Sequence, residues 1–210
     1  MSSSTAIAIK NATDLWFKQI SRVSALFDAC TDAQLLAEIA PGRNSGFYLL
    51  GHLTAVHDAM LPLLRIGERL YPELEEPFIK NPDRSGLPMP DPVTIRAQWT
   101  NVTATLNNGL AAFTFDDWME RHASISAEDF IKEPHRNRFS VLLSRIAHLT
   151  EHIGQLLWIV TGVLSSWTWP GWLALLKPFL EALLWPLMVW LLQIPQRRAH
   201  DADLHRPLAM

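Results

Sequence analysis

Three histidines carry the chemistry available to this chain. His52 lies in Gly51-His52-Leu53, while His148 and His152 lie in His148-Leu149-Thr150-Glu151-His152, all within apolar stretches of helical character. Residues four apart on a helix project from one face. Two imidazoles so placed, joined by a third from a neighbouring helix, cap one side of a divalent metal and leave the other side open. An open position separates a catalytic metal site from a structural one. Gln155 extends the stripe, because offsets of 0, 4 and 7 residues fall within a sector of about 60°. The same spacing also suits two core-flanking histidines that satisfy one another or a backbone group. His52 on a separate helix strengthens the metal reading, since packed helices commonly build such sites from facing side chains.

Other polar groups fit the site less well. His57 stands about 140° around its helix from His52, and Asp58 is on the opposite side. Both are expected at the surface or behind the ligands. His122 and His135 fall in loop-like sequence and are expected to face solvent. Glu151 would orient a ligand, act as a base or lie on a solvated helix face. Tyr48, one turn before His52, would offer a phenol at the rim or pack. No residue is marked as a general base. Cys30 is the only cysteine, so no internal disulfide can form, and it reads as a small packed residue.

The elements that must position the histidines read as four long helices. The first spans about Ala12 to Ala29, with Leu15, Trp16, Ile20, Val23 and Phe27 in its apolar stripe and Thr13-Asp14 as caps. Thr31 or Asp32 opens a further short turn. The second helix runs from about Ser45 past Leu64; Pro62 disturbs it and Gly67 is its expected terminator. Six prolines between Pro72 and Pro92 make a long connection, either a functional loop or a crossover strap. The third helix spans about Val93 to Ala112, and an irregular stretch from Phe113 to Pro134 holds possible caps at Asp116, Asp117 and Ser126. The fourth covers about Arg138 to Val160. No segment alternates as a strand, so the fold class is all-α, a four-helix bundle.

The 210 residues suit one domain with an appendage, placed at 10–162 for the metal-binding bundle and 163–210 for an apolar C-terminal extension. Five of the nine tryptophans fall in that extension, and residues 172–194 are almost wholly apolar. Their length matches a bilayer span, yet Lys177, Pro178, Glu181 and Pro186 interrupt them, and Arg197 and Arg198 would hold the far end in the cytoplasm. The readings are a membrane-inserted segment, a helix packed on the bundle or a partner, and an abnormal terminus. The first residues lack the basic start and apolar run of a signal peptide, read as a frayed leader and favour the cytoplasm. A net charge of −3, a pI near 6.2 and scattered Lys and Arg give no electrostatic case for nucleic-acid binding.

These residues together resemble the DinB/YfiT-like superfamily of metal-dependent bacterial proteins. The resemblance rests on Asn44-Ser45-Gly46-Phe47-Tyr48-Leu49-Leu50-Gly51-His52-Leu53, Gly67-Glu68-Arg69-Leu70-Tyr71-Pro72, Glu128-Asp129-Phe130, Pro134-His135-Arg136-Asn137-Arg138 and His148 through Gln155. It covers about residues 10–160. It implies an up-down-down-up bundle and a three-histidine metal site made of His52, His148 and His152. Zinc, nickel, iron or manganese would suit the imidazole donors. Relatives include thiol transferases and isomerases that use low-molecular-weight thiols. The departure lies beyond Leu157, where relatives usually close the last helix with polar residues. The expected function is therefore a divalent-metal-dependent thiol transferase or hydrolase acting on a small molecule, with a low-molecular-weight thiol as expected substrate and a homodimer as the expected assembly. The alternative is a non-catalytic, stress-related metal-binding or interaction module, membrane-associated if its extension inserts.

Overall fold

The computed structural model describes residues 3–39 and 42–164. Its long helices are α1 (Ser3–Ala29), α3 (Gly46–Leu63), α4 (Pro92–Ala112) and α7 (Arg138–Leu164). Three short ones are α2 (Asp32–Leu35), α5 (Phe115–Met119) and α6 (Ala127–Lys132). Among the described residues there is no strand, only two isolated bridges, Glu38 to Ser45 and Arg121 to Asn137. The fold is all-α. No described helix is long and apolar enough to cross a membrane. The apolar extension, including residues 172–194, lies outside the described residues.

Local chemistry sets most of the helix starts. Thr31 caps α2 in a reciprocal box: its hydroxyl accepts from the Gln34 backbone N–H, and the Gln34 side chain accepts from the Thr31 N–H. Ser45 caps α3 by accepting from the Tyr48 N–H at 3.1 Å. Asp91 caps α4, with Pro92 at the first helical position, where a missing N–H costs nothing. Thr114 and Ser126 cap α5 and α6.

Three boundaries differ from the sequence reading. Helix α7 runs on to Leu164 rather than closing near Val160. Helix α1 starts at Ser3 rather than near Ala12, because Ile9 and Ala12 continue the buried stripe that leads to Trp16 and Ile20. Thr13 and Asp14 therefore lie mid-helix. The Thr13 hydroxyl donates to the Ile9 carbonyl, and Asp14 pairs with Lys10. Leu15, assigned to the buried stripe, is exposed. Helix α3 ends not at Gly67 but at Leu63, with Leu64 as its C-cap. Arg65 takes the left-handed conformation (φ 58°), and the N–H groups of Ile66 and Gly67 return to the Leu61 carbonyl.

Helix α3 packs chiefly on α4, and α1 chiefly on α7. Trp16, Phe27, Leu49, Leu53, Ile95, Leu106, Leu142 and Leu149 fill the interior with almost no exposure. Each such side chain contributes about 1.5–3 kcal/mol by leaving water. Cys30 is a packed core residue, as its sequence context indicated, and burial raises its thiol pKa. The proline-rich connection is ordered as a 3₁₀ turn (Pro72–Leu74) and a π-helical turn (Glu76–Lys80) laid against α3.

Candidate metal centre

The three histidines meet where α3 approaches α7. Nε2 of His148 lies 3.3 Å from Nε2 of His52 and 3.1 Å from Nε2 of His152. The rings are tilted by 59–86° to one another, so the nitrogens converge and the rings do not stack. All three are half-buried, and among the described residues they form the one group of His, Cys, Asp or Glu arranged to hold a metal ion.

Two neighbours decide which nitrogen faces inward. His52 Nδ1 is 2.8 Å from the Phe78 carbonyl, which only accepts, so Nδ1 carries the proton and Nε2 keeps its lone pair. His152 Nδ1 is 2.8 Å from the Gln155 side-chain oxygen, with the same consequence. Both lone pairs aim at Nε2 of His148. With all three rings neutral, at most one proton lies among these three nitrogens, which leaves at least one repulsive contact.

Protonating His52 or His148 offers no relief near neutral pH. Burial, assisted by the other two imidazoles and Arg145, pushes the His148 ring down to about 4. Burial also lowers His52, against the Phe78 carbonyl bond that raises it. A cation removes the conflict. Metal–nitrogen bonds of about 2.0–2.1 Å in a tetrahedron place ligand nitrogens about 3.3 Å apart, close to the separations found. The donor set fits a divalent ion held on one side, with no carboxylate among the described residues to complete its shell.

Phe78 belongs to the π-helical turn, a form found often at functional sites. It is fully buried. Its ring lies so close to Gly51 that a Cβ there would stand 2.2 Å from it. Tyr48 pins the same segment: its hydroxyl donates to the Asn81 carbonyl at 2.7 Å, and its ring stacks on His52 at 6.2 Å. Tyr48 therefore packs, and its hydroxyl is already engaged. Helix α3 and the proline-rich connection thus clamp His52 between a phenol ring and a carbonyl. Sequence reading missed Phe78, because a backbone acceptor carries no residue signature. The signal that could have found it was the glycine immediately before the histidine.

The remaining polar groups lie elsewhere. His135 and Glu151 are exposed, and His122 accepts through Nδ1 from the Ser124 N–H. His57 and Asp58, one option for which was the surface, are both fully buried. The correction has a packing cause: α3 is covered by helices and by the connection on nearly every side. Asp58 accepts from the backbone of Leu70 at 2.7 Å and Tyr71 at 3.2 Å, and pairs with Arg69 at 3.1 Å. It anchors the start of the connection that carries Phe78.

His57 lies between Trp16 and Trp99, with centroids at 5.1 and 5.3 Å, and neither ring nitrogen has a partner. Burial pushes it down to about 3. The unfolded chain takes a proton near pH 6.5 and the folded chain does not, so stability is retained above that value and falls as pH drops from 6.5 toward 3. The loss attributable to His57 reaches roughly 4 kcal/mol at the acid end. His52 and His148 add losses of the same sign. In chelator-treated protein the urea midpoint is expected to fall steadily between pH 7 and 4. His57→Phe should flatten that slope and cost little at pH 7; an unchanged slope would refute the assignment.

The sequence model of the DinB superfamily matches residues 18–156, a span that holds all three histidines, Gly51 and Phe78. No curated protein matches the chain.

Proposed function

We take the family as premise, since the chain belongs to the DinB superfamily, and propose that it is a divalent-metal-dependent enzyme with a four-helix bundle of up-down-down-up connectivity. The convergence of three Nε2 atoms, that of His148 lying 3.3 Å from His52's and 3.1 Å from His152's, carries this reading. His52, His148 and His152 would hold the ion. A metal bound there supplies Lewis acidity, drawing a water or a thiol toward its deprotonated form near neutral pH. Zinc, nickel, iron and manganese all suit imidazole donors.

The chain's own residues do the positioning. The Phe78 carbonyl and Gln155 hold two imidazoles in the tautomer that presents a lone pair, and such partners typically govern metal affinity by about 10–100-fold. Tyr48, Phe47 and Phe78 wall the site on the α3 side and exclude water from behind His52. Three protein ligands leave further positions for a small molecule. Thiol transfer is the preferred reaction, because a thiol is both a soft metal ligand and a nucleophile once deprotonated; hydrolysis is second.

The test is elemental analysis of metal-loaded protein, followed by a panel of thiol-conjugation and ester-hydrolysis assays with and without chelator. About one divalent ion per chain and chelator-sensitive thiol consumption are expected. Bound metal without turnover would favour the non-catalytic binding module. Failure to retain any divalent ion would sink the metal reading.

A further inference from the structure

Arg145 precedes His148 by one helical turn on α7, and residues three apart share a face. Its charge is felt by His52, His57 and His148. Its Nε is buried without a hydrogen-bond partner, and burial lowers its pKa. Among the described residues, the other arginines that are not exposed all have acceptors. Arg69 meets Asp58 and Glu75, Arg96 meets Asp32, Arg121 the Ile125 carbonyl, Arg136 Glu133, and Arg138 Glu120. Asp58, the buried acid, is committed to Arg69, Leu70 and Tyr71.

The charge balance is one-sided. Three imidazole ligands, one guanidinium and a divalent ion make a strongly positive site, and among the described residues no carboxylate is paired with Arg145. A buried N–H donor left without an acceptor is costly, and Arg145 Nε is one such donor on a half-buried side chain. A guanidinium matches a carboxylate through two parallel hydrogen bonds. We propose that Arg145 binds the carboxylate of a small anionic substrate whose second donor atom, a thiol sulfur for choice, faces the three imidazoles. This rests on the metal-site reading above and narrows the substrate to a carboxylate-bearing small molecule.

The test uses calorimetric binding to zinc-loaded full chain, with metal content measured on every sample. The probes are thioglycolate and its near-isosteric amide, 2-mercaptoacetamide. The wild type should bind the carboxylate at least about tenfold tighter, the range of a charge-assisted bond. Arg145→Gln should lose that preference while keeping its zinc and its affinity for the amide, and Arg145→Lys should restore part of it. The wild-type comparison alone is decisive if a variant fails to fold, because equal affinity for the two probes overturns the proposal. So does an Arg145→Gln protein that keeps zinc and the full preference, since the carboxylate is then held by the metal alone. Absence of zinc from the wild type overturns the metal reading and this proposal together.

Discussion

Replacing His148 by alanine is expected to empty the site of divalent metal while leaving the metal-free fold as stable as before. His148 is the shared member of the trio, since its Nε2 lies within 3.3 Å of both others. Without it His52 and His152 offer two ligands, and the affinity should fall by far more than the roughly 10–100-fold that loss of an outer partner costs. The stability argument runs the other way. Buried Nδ1 of His148 has no hydrogen-bond partner, so the ring is already a poor tenant of the metal-free interior. Truncation relieves that cost and opens a small void, two effects of opposite sign and similar size. A ligand at a hundred times its dissociation constant stabilises by about 2.7 kcal/mol. Scanning calorimetry should therefore show the wild type gaining several degrees on addition of excess zinc, and His148→Ala gaining none. A variant that retains one ion per chain and the same thermal gain would remove His148 from the ligand set.

The parts of this protein legible in its sequence are those set by local periodicity and local capping. The stripe through Trp16, Val23 and Phe27 announced α1, and the His148–His152 spacing announced one face of α7, because both depend only on helical geometry. Thr31 and Ser126 were readable as caps for the same reason. The convergence of His52 on that face needed the family resemblance, as it depends on how α3 meets α7. What stayed hidden depends on contacts remote in sequence. The Phe78 carbonyl reaches His52 across 26 positions. His57 looked peripheral because helical angle was measured from His52 alone, whereas both Trp16 and Trp99 close over it. Arg65 rather than Gly67 takes the left-handed position because the Ile66 and Gly67 N–H groups close back on the Leu61 carbonyl, a return that the residue type of Arg65 did not announce.

Gly51→Ala is expected to damage metal binding through a contact that involves no ligand. The added methyl would stand 2.2–2.4 Å from three carbons of the Phe78 ring, a clash that something must relieve. The ring is fully buried, flanked by Phe47 and Tyr48, so it has no free direction in which to turn. The π-helical turn would have to shift outward as a piece, carrying the Phe78 carbonyl away from His52 Nδ1. Overpacking of this kind costs about 1–3 kcal/mol of stability. The lost carbonyl frees His52 to rotate or to move its proton to the inward nitrogen, which should weaken metal affinity by about 10–100-fold. Alanine is otherwise the better helix former by about 1 kcal/mol, so any net destabilisation must come from the clash. Gly154 supplies the comparison: it also lies within a helix, two residues after His152, and has nothing within 4 Å of its would-be Cβ among the described residues. Gly154→Ala should keep or raise the urea midpoint and hold its zinc; Gly51→Ala should lower the midpoint and lose zinc to a competing chelator. Phe78→Ala in the Gly51→Ala background relieves the clash and should recover part of the zinc affinity, though not the stability that the buried ring supplied. Zinc affinity unchanged by Gly51→Ala alone would mean that the carbonyl does not orient His52.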